Sequence, residues 1–279
     1  MSLLKLPEIQ ASHAIGKAQF DMRPDALERW EPAIRSAVDG DTSISVYDAI
    51  GESWDGSGVT AKRIGAALRS IGPKDVTVNI NSPGGDFFEG VAIYNLLREH
   101  PAKVTVRVMG LAASAASVIA MAGDEILMGD GSFIMIHNAW AVAIGNRHDM
   151  LAASEQLAPF DAAMADVYAA RTGMSAKDTA AMMDKETWIG ARQAVEDGFA
   201  TGMIDGEQIT KDTKAGGEKR ALAMIEASMA KAGYSRSTRR DAFKSLFSGK
   251  PGAAENDATP SAGDNLAAML QNLTQTLRG

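Results

Sequence analysis

The chain contains no cysteine, which excludes a cysteine nucleophile, a disulfide framework and any thiolate metal site. That absence fits a reducing compartment. Its four histidines, His13, His100, His137 and His148, show no HExxH or comparable ligand spacing, so no metal is expected. No GxxxxGK(S/T) loop is present, and ATP hydrolysis by the chain itself is not expected either. The longest apolar run, Val108 to Ala122, falls short of a membrane span and carries small residues and serines. The apolar run within Leu3–Leu6 is too short for the core of a signal peptide. The expectation is a cytoplasmic protein with no membrane partner and no cofactor.

What remains is an ordinary globular composition. With 46% hydrophobic and 23% charged residues, 279 residues can bury a full core. The net charge of −7 is unevenly spread. Residues 211–250 hold ten Lys/Arg against four Asp/Glu, a balance of +6; residues 251–279 contribute −2, and residues 1–210 carry −11. A basic segment on an acidic body marks a compositional boundary. The Lys and Arg within 231–244 read as a solvated helix face in preference to a nucleic-acid surface, so no nucleic acid is expected.

Apolar periodicity sets the elements. Thr42–Tyr47, Val76–Ile80, Lys103–Val108, Glu125–Met128 and Phe133–Ile136 read as strands. Val59–Ile71, Phe87–Leu97, Ser114–Met121, Ala176–Met183 and Ala191–Asp197 read as helices. A longer helical stretch, Met150–Thr172, contains Pro159, where a helix should begin or kink. Alternation of this kind predicts an α/β domain with largely parallel strands. The chain divides into an N-terminal arm (1–40), a main domain (41–206), a basic helical extension (207–247), a Gly/Pro/Ala/Ser-rich linker (248–264) and an amphipathic helix (265–279). His100 and His148 lie in polar stretches and read as surface residues.

Three fragments carry chemistry. Gly110-Leu111-Ala112-Ala113-Ser114-Ala115-Ala116-Ser117 places a serine among residues too small to shield it. Alone, the octet reads as close helix packing ahead of catalysis. His137 ends an apolar strand 23 residues later, where an imidazole is costly unless partnered. Alone, a satisfied core histidine explains it. Asn81-Ser82-Pro83-Gly84-Gly85 lies upstream, and its glycines can turn bare backbone N–H groups outward. Alone, it is a turn. In this order the three supply a nucleophile, a general base and an oxyanion hole for acyl transfer.

At these spacings the fragments resemble the proteolytic subunit of the Clp protease, and the similarity runs from about Ser43 to Asp205, Gln193-Ala194-Val195-Glu196-Asp197-Gly198 included. The resemblance implies the Clp/crotonase-like spiral of β-β-α units, assembly of copies into a ring, and protein or peptide substrates. It implies Ser114 as nucleophile, His137 as general base, and the backbone N–H groups of Gly85 and Ala115 as oxyanion donors. Alignment through Trp188-Ile189-Gly190-Ala191 puts Glu186 where the family usually carries Asp, with Asp184 as the alternative third member.

Two roles are open within that family. One is phage head maturation, with capsid or scaffold proteins as partners. The other is a housekeeping ATP-dependent subunit fed by an unfoldase ATPase. Where housekeeping members often carry pocket-forming aromatics this chain has Thr77, Asn79 and Glu99, which together with the appended residues 206–279 favours the first. Two further classes stay open: a crotonase-type acyl-CoA enzyme, which needs no Ser/His pair, and a non-catalytic assembly scaffold.

Overall fold

The computed structural model describes residues 19–20, 22–37, 40–53, 58–204, 209–211 and 216–247. The expected linker at 248–264, the helix at 265–279, and His13 lie outside the described residues. The described residues up to Lys244 belong to one compact unit.

Three short elements lead in: β1 (Gln19–Phe20), α1 (Pro24–Arg29) and β2 (Ile34–Ser36). Strand and helix then alternate through β3 (Ser43–Val46), α2 (Ala61–Ile71), β4 (Val76–Ser82), α3 (Phe87–Arg98), β5 (Val104–Ala113), α4 (Ala115–Ala120), β6 (Glu125–Met128) and β7 (Phe133–Ile136). The helices start where the sequence supplies a cap. Thr60 Oγ1 accepts from the Arg63 N–H and Asp86 Oδ1 from the Glu89 N–H, satisfying donors that have no partner inside the first turn. After β8 (Ala141–Val142) come α5 (Arg147–Thr172), α6 (Ala176–Asp184), β9 (Thr187–Gly190), α7 (Ala191–Glu196), β10 (Gly202–Met203), β11 (Ile209–Lys211), α8 (Gly216–Lys231) and α9 (Arg236–Phe247).

The main sheet runs β10-β6-β5-β4-β3, with every pairing on that path parallel. β5 is long enough to serve two partners: residues 105–108 pair with β6, and residues 111–113 pair with β7. β7 in turn pairs antiparallel with β9. Alternation along the strands divides the core. Val104, Val106, Val108, Ile134 and Ile136 join the large cluster beneath the helices. Leu111, Ala113 and Met135 face a second cluster built from Leu27 and Trp30 of the N-terminal segment and Ala227 of α8.

Four local features correct the sequence reading or add to it. α5 runs through Pro159, so the proline does not begin a helix. The carbonyl it strands, that of Glu155, lies on an exposed turn where water can replace the missing N–H. His100 is buried, not a surface residue: its Nε2 lies 2.7 Å from the Lys74 carbonyl, because the end of α3 folds over the turn into β4. The basic extension is paired rather than simply solvated. Lys219 meets Asp48 at 2.7 Å, Arg236 meets Asp86 at 2.7 Å and Arg240 meets Glu52 at 2.6 Å, so the positive segment is set against the acidic body. Residues 22–36, within the expected arm, pack into the second cluster through Leu27 and Trp30. Among the described residues no helix is long and apolar enough to cross a membrane.

Candidate active site

The site begins with a fault in the sheet. Ile80 pairs with Val108, yet Ser82 pairs with Ala112, so β5 carries two extra residues opposite Asn81. Asn81 fills the gap: its Oδ1 accepts from the Leu111 N–H at 3.1 Å, and its Nδ2 donates to the carbonyls of Glu31 and Ile34. Gly110 is required here, since a Cβ on it would stand 2.9 Å from Asn81 Oδ1. The bulge redirects β5 from β6 to β7 and carries Ser114 to the end of the strand pair.

Ser114 sits between β5 and α4 with φ 55° and ψ −125°, a backbone region that costs any residue but glycine. Its neighbours hold it there. The Ser114 N–H donates to the Met135 carbonyl at 2.9 Å, and its carbonyl accepts from Ser117 Oγ at 2.6 Å. Ser117 Oγ is itself 2.8 Å from the Tyr168 hydroxyl, deep in the core. Sequence reading passed over Ser117 as a support, although its place three residues into the helix start was visible.

His137 follows β7 and is buried, with Nε2 2.8 Å from Ser114 Oγ. Burial pushes its pKa down to about 4 and the Arg23 cation acts in the same direction; Asp25 and a hydrogen bond to the Asn138 backbone oppose them. At neutral pH the imidazole is therefore uncharged and able to accept a proton.

The Gly-Gly turn backs onto the serine. A Cβ on Gly84 (φ +91°) would lie 2.7 Å from Ser114 Cβ. The Ile50 N–H donates to the Gly84 carbonyl and the Asp86 N–H to the Ile50 carbonyl, so this bridge uses the groups on either side of Gly85 and not its own N–H. Ala115 is the first residue of α4, where an N–H has no acceptor within the helix. Among the described residues, neither of these two N–H groups meets a backbone acceptor.

The two candidate acids are engaged elsewhere. Thr187 pairs with Ile136, the last pair between β7 and β9; Glu186 immediately precedes Thr187 and His137 immediately follows Ile136, with Glu186 already in the turn at φ 51°. The Glu186 side chain, however, meets Arg23 Nη2 at 2.5 Å. Asp184 Oδ1 accepts from Asn138 Nδ2 at 2.8 Å. Among the described residues neither carboxylate hydrogen-bonds the imidazole. Arg23 and Asp25 had no signal in the sequence, because only tertiary packing brings them here. No cluster of acids and histidines among the described residues is placed to hold a metal ion.

Comparison with known proteins places this architecture. A point mutant of ClpP1 from Listeria monocytogenes matches with a TM-score of 0.50 at 22% identity, covering 59% of this chain and 92% of that one, and the fold is the Clp/crotonase-like one. The ATP-dependent Clp protease proteolytic subunit 2 of Corynebacterium diphtheriae is 31% identical over 137 residues, which is 48% of this chain and 69% of that protein. The ATP-dependent Clp protease proteolytic subunit of Chlorella vulgaris is 31% identical over 143 residues, 50% of this chain and 68% of the other. Residues 39–207 match the family model for Clp protease. The chain belongs to the Clp protease family.

Proposed function

We propose that this protein is a serine endopeptidase. Ser114 Oγ bonds to the scissile carbonyl carbon while His137 Nε2 takes its proton, and the N–H groups of Gly85 and Ala115 receive the oxyanion. The same proton passes to the leaving amine as the peptide bond breaks, and water then releases the acyl group by the reverse sequence. The 2.8 Å contact between Ser114 Oγ and His137 Nε2 carries this reading. Glu186 is the carboxylate assigned to the histidine because it adjoins Thr187, which pairs with the residue just before His137, with Asp184 as the alternative. A crotonase-type acyl-CoA enzyme has no use for the Ser/His contact, and a scaffold has none for either group.

The reading includes assembly of copies into a ring and a role in phage head maturation, acting on capsid or scaffold proteins. Asn79, at a position where a pocket aromatic would be needed for an ATPase, is fully buried in β4, which supports a role without one. The names of the relatives, ATP-dependent proteolytic subunits, favour the second reading, a housekeeping subunit fed by an unfoldase. Stable co-purification of a host unfoldase with ATP-driven degradation of a folded substrate would select that one.

The test of the chemistry is labelling with a fluorophosphonate. A single adduct on Ser114, absent from Ser114→Ala and strongly slowed in His137→Ala, is expected. An unlabelled Ser114 would overturn the peptidase reading.

A further inference from the structure

Residues 22–36 precede the stretch that matches the family, yet they bring two charges to the histidine. Arg23 stands at the start of α1 and Asp25 in its first turn. Arg23 Nε lies 2.9 Å from Asp25 Oδ1, and Arg23 Nη2 lies 2.5 Å from Glu186 Oε2. One guanidinium therefore holds both carboxyl groups. Two like charges brought that close disfavour each other's ionised form. The cluster is built rather than incidental. Trp30 Nε1 anchors the segment to the Asn81 carbonyl at 3.0 Å, and the Arg29 guanidinium lies 4.2 Å over the Trp188 ring.

We propose that Asp25 and Arg23 are positioning residues that set the pH at which Glu186 becomes an anion able to serve His137. The inference rests on the peptidase reading and adds to it an acid whose charge is controlled from outside the family-matched domain. The Asp25 charge disfavours a second anion beside it and so favours the neutral Glu186 carboxyl; the Arg23 cation favours the Glu186 anion. In agreement, the Glu186 carboxyl is pushed up to about 7, by burial first and Asp25 next, with Arg23 opposing. The other charged groups nearby are Asp184 and Lys185 at the end of α6, Asp161 of α5, which accepts from the Ala139 N–H, and Arg29 of α1.

The signs are opposite for the two residues. A neutral Glu186 cannot stabilise the imidazolium, so the rate rises with pH as Glu186 ionises. Asp25→Asn removes the like charge and moves that acid limb to lower pH. Arg23→Gln removes the cation and moves it to higher pH. Arg23→Lys keeps the cation and leaves the limb near its original position.

The experiment is the second-order rate of fluorophosphonate labelling at Ser114, read by intact mass against pH, in the full-length protein and these three variants. Shifts of about one unit are expected, roughly tenfold in rate at pH 6, faster for Asp25→Asn and slower for Arg23→Gln. A purely structural role would move both variants alike. Labelling with both limbs unmoved, or moved the same way, overturns the inference and leaves the peptidase reading standing. No labelling of Ser114 in any of the proteins overturns both.

Discussion

Asn81 Oδ1 and the Leu111 N–H meet at 3.1 Å where β4 and β5 lose register. A side-chain carbonyl there replaces the strand acceptor that the bulge takes away. With that donor satisfied, β5 can leave β6 after Val108 and rejoin the sheet against β7 at Leu111. The change of partner puts Ser114, at the end of β5, beside His137, at the end of β7. The serine–histidine contact is thus set by an amide more than thirty residues upstream of the nucleophile.

Replacing that amide tests the dependence. Asn81→Ala leaves the buried Leu111 N–H unpaired and frees the carbonyls of Glu31 and Ile34, so a loss of about 2–4 kcal/mol is expected in chemical denaturation. Labelling of Ser114 should fall further than the lost stability explains. Asn81→Asp keeps the acceptor and loses the donors, and should fall between.

Gly84→Ala should silence the site. Its φ of +91° disfavours a side chain, and the added methyl would stand 2.7 Å from both Ser114 Cβ and the Ala113 carbonyl oxygen. Displacing the nucleophile by about 1 Å costs on the order of 100-fold in rate. Gly131→Ala is the control: its φ is +72°, but no atom lies within 4 Å of the new methyl. It should cost about 1 kcal/mol of stability and leave the labelling rate unchanged.

Glu186→Gln should lower kcat for a peptide substrate by roughly 10³–10⁴, the scale seen when the acid that orients a catalytic histidine is neutralised. Asp184→Asn should have little effect, since Asp184 belongs to the end of α6 while Glu186 adjoins the last pair of β7 and β9. The reverse pattern in steady-state kinetics would transfer the role to Asp184.

Stability against pH should expose two opposing titrations. His137 has its folded pKa depressed from 6.5 to about 4, so its contribution is present above pH 6.5 and lost as pH falls toward 4; it amounts to about 3 kcal/mol. Glu186 has its folded pKa raised from 4.5 to about 7, so it destabilises the fold as pH rises through that window. The two should partly cancel in the parent protein. Urea unfolding of His137→Gln between pH 4 and 7 should show stability falling with pH relative to the parent, and Glu186→Gln should show it rising.

The local elements were legible in the residues. Glu125–Met128 and Phe133–Ile136 read as strands from apolar pattern alone and have those bounds in the structure. The parallel α/β alternation and the order of the Gly-Gly turn, Ser114 and His137 were legible in the same way, because periodicity and spacing are properties of neighbouring residues. Short strands such as β2, β9 and β11 were not, since each holds at most two apolar residues, too few to show an apolar run or a period. Tertiary structure alone decided the β5 bulge, the positive φ of Ser114, the ion pair of Arg236 with Asp86, and the meeting of Arg23, Asp25 and Glu186 beside the histidine. Each of these joins segments far apart in the chain or depends on such a joining. Their energies come from desolvation and charge at close range, which exist only after the sheet has brought the segments together.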